Sequence, residues 1–350
     1  MIIKKNMFIY SILTISLLST TTFANNERIN SSQDQNKANK TRIYNLRENN
    51  IDIKAPDNYG VSHNKYQHFN IGKDYITHLN NDATRNQNMI NQKTGPAKII
   101  INEITHDEIT YLNGQLNVKG TPAKVVIINP NGIICNDCQF TNATEVDLVA
   151  GRMFYIDKTI SYHTNKGKII FTGKGIQSND NFVNQKSNLL SKLSIYAGQL
   201  QLKNNANIHV AEQYYAVGNY NNYYYLDFDN KGIMAGEKIA TKFTIGKGSQ
   251  IYANKLTIFN GQGLNLHNQG SIITHNIMSI NADHIVNEGN IMANTDIGTS
   301  RLSGMYISAK HLVNHYNGNI SATRGEIGFK QTYLPFGYQD KNIKITKLTY

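Results

Sequence analysis

The residues best suited to chemistry are few and scattered. Cys135 and Cys138 are the only cysteines, spaced as C-N-D-C. That spacing suits half a zinc site, a redox pair or a local disulfide. Zinc needs four protein ligands, and no second C-x-x-C or spaced histidine pair completes the set. A redox pair belongs in a thioredoxin-like βαβ setting, which the flanking sequence does not provide. A disulfide and free thiols remain open. His106-Asp107-Glu108 invites an acid–base reading, but neighbours on a strand point to opposite faces, so the triplet reads as a charged turn. The other histidines, among them His63, His68 and His78, have no partner at metal-ligand spacing. No G-x-S-x-G, P-loop or H-E-x-x-H occurs. The expectation is therefore no catalytic residue, no metal and no cofactor. Tyr214-Tyr215 and Tyr223-Tyr224-Tyr225 form an aromatic group that suits sealing a loop over the fold, or stacking on sugars.

The chain that must position these residues has 350 of them and is rich in Asn, Ile, Thr and Gly, with no Trp. Asn and Gly tolerate positive φ at turns, while Ile, Val, Thr and Tyr suit pleated strands. The composition therefore points to an all-β protein. The formal charge of +11 comes from scattered Lys and Arg, with no motif to organise a nucleic-acid surface. Residues 1–24 read as a signal peptide. Lys4 and Lys5 precede the apolar run Phe8 to Leu18, and Thr22-Phe23-Ala24 offers small residues for cleavage. Such a run is too short to span a bilayer, and no later segment is apolar enough to do so. An exported chain meets oxidising conditions, which favours a local disulfide between Cys135 and Cys138.

Residues 25–50 read as a mobile polar leader without apolar periodicity. From Ile51 the chain becomes a succession of short strands bounded by Gly, Asn or Pro, such as Lys98 to Ile104, Gln115 to Gly120 and Ala123 to Ile134. The continuous apolar run Val125 to Ile128 predicts a strand covered on both faces. Further on, Ile251, Leu256 and Ile258 align with Ile273, Met278 and Ile280 at a step of 22 residues. Asn-x-Gly phrases begin at Asn230, Asn268 and Asn287, with a related one at Asn317. A repeat near 20 residues marks a solenoid whose units bury their apolar faces against their neighbours. The pattern predicts a parallel β-helix of roughly fifteen coils, about 70 Å long at the spacing of stacked strands. A β-sandwich is the structural alternative.

Three phrases carry a family resemblance: GVSHNKYQHFNI (Gly60 to Ile71); IINEIT (Ile100 to Thr105) with LNGQLNVKGTPAKVVIINPNGI (Leu112 to Ile133); and ICNDCQFTN (Ile134 to Asn142), leading into DLVAGR (Asp147 to Arg152). In order and spacing they resemble the haemagglutination-activity, or two-partner-secretion, domain of filamentous haemagglutinins, large cytolysins and contact-dependent-inhibition exoproteins. The resemblance covers about residues 51–330, leaving 331–350 as a C-terminal tail. It implies a right-handed parallel β-helix with N-terminal capping strands and extra-helical β-hairpins.

Its partner would be an outer-membrane β-barrel transporter, and the product a secreted or surface protein of a Gram-negative bacterium, reached through the periplasm. The motif Asn129, Pro130, Asn131, Gly132 and Ile133, with Asn64, Phe69 and Asn70, corresponds to the part on which secretion depends, either by direct contact or by folding. Thr84 to Pro96 lacks a second Asn-Pro motif that many relatives carry, which leaves the choice of transporter open. The cytolysin-like and haemagglutinin-like branches resemble this chain in carrying the cysteine pair at this place. Beyond export, the expected role is a haemagglutinin-like adhesin, with a host-cell surface or carbohydrate as target. The alternatives are a truncated cytolysin, a contact-dependent-inhibition toxin carrier, or a polysaccharide-active β-helix enzyme. Tyr350 follows soon after the coils, which reads as a truncated product, a fragment or a minimal form.

Overall fold

The computed structural model describes residues 29–31, 42–45, 48–84, 93–156, 158–164, 166–177, 190–225, 230–235, 240–259, 263–294, 304–323, 325–332 and 343–345. Every regular element among them is a β-strand. The signal-peptide segment 1–24 lies outside the described residues.

Strands stack in register in three parallel columns, which gives each coil three sides. The first column runs Val61–Phe69, Ile99–Ile104, Ala123–Ile128, Ala143–Ile156, Lys192–Ala197, Glu212–Val217, Gln250–Phe259, Ser271–Asn287, Gly304–Asn314 and Gly325–Thr332. The second passes through Thr110–Leu112, Ile133–Thr141, Lys168–Gln177, Gln199–Leu202, Thr241–Ile245 and Leu264–Asn268. The third begins Asn49–Asp52, Ile76–Asn81, Gln115–Gly120 and ends Asn290–Ala293, Asn319–Ala322, Ile343–Ile345. Long strands turn a corner and serve two columns: in Gln250–Phe259, Ile251 and Ala253 point inward on one side, Leu256 and Ile258 on the next.

Alternation along each strand sends one set of side chains into the lumen, where Ile, Leu, Val and Phe stack rung on rung into one cluster from Ile51 to Ala322. Burial of this column of aliphatic groups is the main stabilising contribution, at about 25 cal/mol per Å² of apolar surface removed from water. Phe171, Tyr215 and Phe243 are the large residues fully inside its middle.

The first column has ten rungs among the described residues, not the fifteen coils expected, and its length is about 43 Å at the stacked-strand spacing. The reason is that some coils carry insertions. Thr159–Thr164 pairs antiparallel with the end of Ala143–Ile156 and with Tyr220–Tyr225, which pairs with Asn230–Ala235. These form an extra-helical antiparallel sheet against the outside of the first column. Val126, Ile128, Val149, Met153, Ile160, Tyr162 and Tyr196 fill the space between. Ala123–Ile128 is therefore buried along its whole length, with the lumen on one face and this second cluster on the other.

Four details differ from the sequence reading. Ile251 pairs with Ile272, not Ile273, because the register shifts by one between Ala253 and Lys255; Leu256–Met278 and Ile258–Ile280 pair as expected. The phrase at Asn230 lies on the inserted hairpin, not at a coil corner, so its 38-residue distance from Asn268 is no repeat. Parts of the polar leader are ordered strands: Ile29–Ser31 runs antiparallel along Val61–Phe69, and Arg42–Asn45 along Asn49–Asp52. They cover the free edges of first rungs, which would otherwise invite pairing with another chain. Parallel pairing also continues past residue 330, into Ile343–Ile345.

Candidate functional site

The motif Asn129 to Ile133 forms the corner between the first and second columns. Pro130 sets φ for the turn, and Gly132 takes φ +114°, a conformation that L side chains rarely adopt. The Gly132 amide donates to the Asn129 carbonyl at 3.2 Å and closes the turn. A Cβ on Gly132 would sit 2.7 Å from the Lys168 carbonyl oxygen of the next coil, so the position needs glycine on steric grounds as well.

Asn129 is fully buried and works as a clamp between coils. Its Nδ2 donates to the Glu108 carbonyl at 2.8 Å and to Thr110 Oγ1 at 2.9 Å. Its Oδ1 accepts from the Asn131 amide at 2.9 Å and from Asn131 Nδ2 at 3.2 Å. Asn131 Nδ2 also donates to the His106 carbonyl at 2.8 Å. The motif is thereby stitched to the turn at 105–109 of the preceding coil. That turn is the charged one expected at His106-Asp107-Glu108, exposed and without strand structure. Ile133 is buried in the lumen, between Thr110 and Ile169.

The first phrase supplies two further clamps. Asn64 is fully buried: Oδ1 accepts from the Lys54 amide at 2.9 Å, and Nδ2 donates to the carbonyls of Ser62 and Ile101 at 3.2 and 3.3 Å. Asn70 Oδ1 accepts from the Tyr111 amide at 2.9 Å. Phe69 lies in the lumen with its ring centroid 4.9 Å from that of Tyr66. Tyr66 Oη donates to Asn102 Oδ1 at 3.1 Å, and burial pushes this phenol far above its ordinary range. On the outside of the same rungs, His63 Nε2 lies 2.7 Å and Lys65 Nζ 3.7 Å from Glu103 Oε2. Burial alone would raise the Glu103 carboxyl, but the His63 hydrogen bond and both neighbouring charges hold it below the usual range.

The eight motif residues thus occupy neighbouring rungs but play unlike parts. Asn64, Phe69, Asn70, Asn129, Gly132 and Ile133 are buried; Pro130 is half-buried and Asn131 exposed. On the folded surface, only Asn131 and the edge of Pro130, beside the turn at 105–109, are available for contact. Clamps that sequence reasoning missed follow the same rule, at buried Asn81 and half-buried Asn142. Asn81 Nδ2 donates to the carbonyls of Ala97 and Thr121, and Asn142 Nδ2 to those of Val118 and Gly120. Asn268, Asn287 and Asn314 form a ladder through Nδ2–Oδ1 bonds of 2.8 and 2.7 Å. The N-x-G phrases pointed at two of its rungs, but the third is Asn314, not Asn317.

Cys135 and Cys138 are bonded to each other across the second-to-third-column corner, with Cα atoms 5.4 Å apart and Asp137 between them at φ +55°. The tyrosines separate: Tyr215 is in the lumen, Tyr214 on the outer cluster, and 223–225 on the inserted strand.

A family model described as the TPS secretion domain matches residues 27–292. The chain is similar to a 16S rRNA endonuclease CdiA of Enterobacter cloacae subsp. cloacae, 29% identical over 234 residues, covering 62% of this chain and 7% of that protein. It is also similar to a toxin CdiA of Yersinia pestis, 26% identical over 73% of this chain and 8% of that one. A hemolysin of Proteus mirabilis is 35% identical over 35% of this chain and 8% of its own length. The chain thus spans less than a tenth of the length of these relatives. Among solved structures, a filamentous hemagglutinin secretion domain matches with a TM-score of 0.59 and 19% identity, over 91% of this chain and 99% of that one. That likeness bears on the fold.

Proposed function

The chain belongs to the TPS secretion-domain family, and from that premise we propose that it is an exoprotein whose coils are read by a partner outer-membrane β-barrel and released from a Gram-negative cell. The observation that carries this reading is the family match over residues 27–292, on a chain built as a three-column parallel β-helix. Residues 1–24 would direct it to the periplasm. The secretion domain then follows closely; the cap strand Ile29–Ser31 supports including the polar leader in it.

Passage is of an unfolded chain, and coils form outside. Each finished rung offers its edge to the next, so folding free energy disfavours return. In this reading the buried asparagines make the coils form, and Asn131 with Pro130 is the part left for contact. A secretion domain of this kind is not an enzyme domain.

The role of the released protein is a haemagglutinin-like adhesin directed at a host surface or its carbohydrate. A second reading, delivery of a toxin or cytolysin, is favoured by the similar proteins, which include CdiA toxins and a hemolysin.

The test is expression of the whole chain in a Gram-negative host with and without a matched transporter. Transporter-dependent appearance in the medium is expected, and Asn131→Ala separates contact from folding because that side chain is exposed. Retention in the periplasm in both hosts would overturn the reading.

A further inference from the structure

Outside the lumen and away from the secretion motif lies a buried cluster of ionisable groups that export does not use. Lys124 on Ala123–Ile128 faces Glu145 and Asp147 on the next rung, Ala143–Ile156, with Val126 paired to Asp147. Lys124 Nζ is 2.8 Å from Asp147 Oδ2 and 3.6 Å from Glu145 Oε2. The Lys124 and Asp147 side chains are only 9% and 2% exposed. Val126, paired to Asp147, belongs with Val149, Tyr162 and Tyr196 to the outer apolar cluster, and Tyr162 Oη donates to Asp147 Oδ2 at 3.3 Å. Glu145 reaches partly to solvent and also contacts Lys192 Nζ at 3.1 Å.

A buried ion pair is expensive, because desolvation of two charges offsets most of their attraction. An amine held within 2.8 Å of a buried carboxylate oxygen, with a second carboxylate beside it, is also an arrangement for condensation. Positioning of this kind supplies much of the barrier lowering in intramolecular reactions. We propose that Lys124 and Asp147 condense to an isopeptide bond between successive coils, with Glu145 as the catalytic proton carrier.

The step balances without an outside reagent. The Lys124 ammonium passes one proton to the Asp147 carboxylate, giving a neutral amine and a carboxylic acid. The amine lone pair attacks Asp147 Cγ and forms the C–N bond. Glu145 takes a second proton from nitrogen and delivers it to the departing hydroxyl, which leaves as water. The third proton stays on the amide nitrogen, and Glu145 returns to its starting state. Burial alone would lower the Lys124 ammonium, but the two carboxylates hold it above its usual range, so the ion pair is the resting form and the reaction proceeds slowly from its neutral tautomer. Once formed, the amide removes both buried charges and is protected by the same exclusion of water. It closes a loop that contains both the Asn129–Ile133 corner and the disulfide.

The chemistry needs only the folded rungs, so the test is independent of how the chain leaves the cell. The full-length mature chain is purified after prolonged incubation, its disulfide is reduced, and its intact mass is measured. The expected mass is lower than that of the linear sequence by one water, and proteolysis yields a branched peptide joining Lys124 to Asp147. Lys124→Arg keeps the ion pair but has no reactive amine, and Glu145→Gln keeps the pair but lacks the proton carrier. Both should fold, as judged by circular dichroism, and show the full linear mass. A wild-type chain of full linear mass with no branched peptide would identify the cluster as an ion pair only and overturn the proposal, as would loss of water in Lys124→Arg.

Discussion

Replacing Asn129 by alanine tests whether the secretion motif is a folding device. The side chain is fully buried and makes four hydrogen bonds. Not all of them count equally. Glu108 and Asn131 are exposed, so their backbone groups can turn to water, whereas Thr110 is 1% exposed and its hydroxyl loses a partner it cannot replace. A net hydrogen bond is worth about 1 kcal/mol and an orphaned buried group costs about 1–3 kcal/mol, which gives a loss of about 2–4 kcal/mol for Asn129→Ala. With a urea slope of about 3 kcal/mol/M, the unfolding midpoint of the full chain should fall by about 0.7–1.3 M. Asn131→Ala removes the bond to the His106 carbonyl and the longer one to Asn129 Oδ1, which keeps the Asn131 amide; at an exposed position this should cost about 0.5–1 kcal/mol. The assay is urea unfolding followed by circular dichroism, with slopes compared to confirm that the same surface unfolds. A midpoint for Asn129→Ala indistinguishable from wild type, or an equal loss in Asn131→Ala, would refute the clamp.

Three further outcomes follow from the same geometry. Gly132→Ala places a Cβ 2.7 Å from the Lys168 carbonyl at φ +114° and should cost about 1–3 kcal/mol, read as a lowered melting temperature. Because the Glu103 carboxyl is held below its ordinary value of 4.5, its contribution is complete above that pH and is lost as pH falls through the lowered folded value; urea midpoints from pH 7 downward should show this loss, and Glu103→Gln should reduce it. Reducing Cys135–Cys138 opens a small ring and should lower stability by about 2 kcal/mol without loss of β-structure, checked by unfolding with and without reductant.

The stacking principle was readable because parallel rungs repeat the same inward side chains, as at Leu256–Met278 and Ile258–Ile280. The coil number was not, because inserted strands lengthen some coils without breaking the alternation. Thr159–Thr164 and Tyr220–Tyr225 find each other across a long sequence gap, and local periodicity holds no trace of such a pairing. The three- and four-residue cap strands in the leader are too short to display a period at all. The motif residues were legible as turn formers, yet only the folded chain distinguishes Asn129, which turns inward, from Asn131, which faces water. Buried Asn81 and Asn102 and half-buried Asn142 do the same work as Asn64 and Asn129, but stand in ordinary strand and turn sequence that carries no signal of it.

The most direct test of the account attaches a reporter that normally stays in the periplasm to the C-terminus of the full chain. The fusion is then followed in cells with and without the matched transporter. The account predicts reporter in the medium only when the transporter is present, with release reduced in Asn129→Ala to the extent that its coils are destabilised. Reporter confined to the periplasm in both cells, or released equally in both, would contradict it.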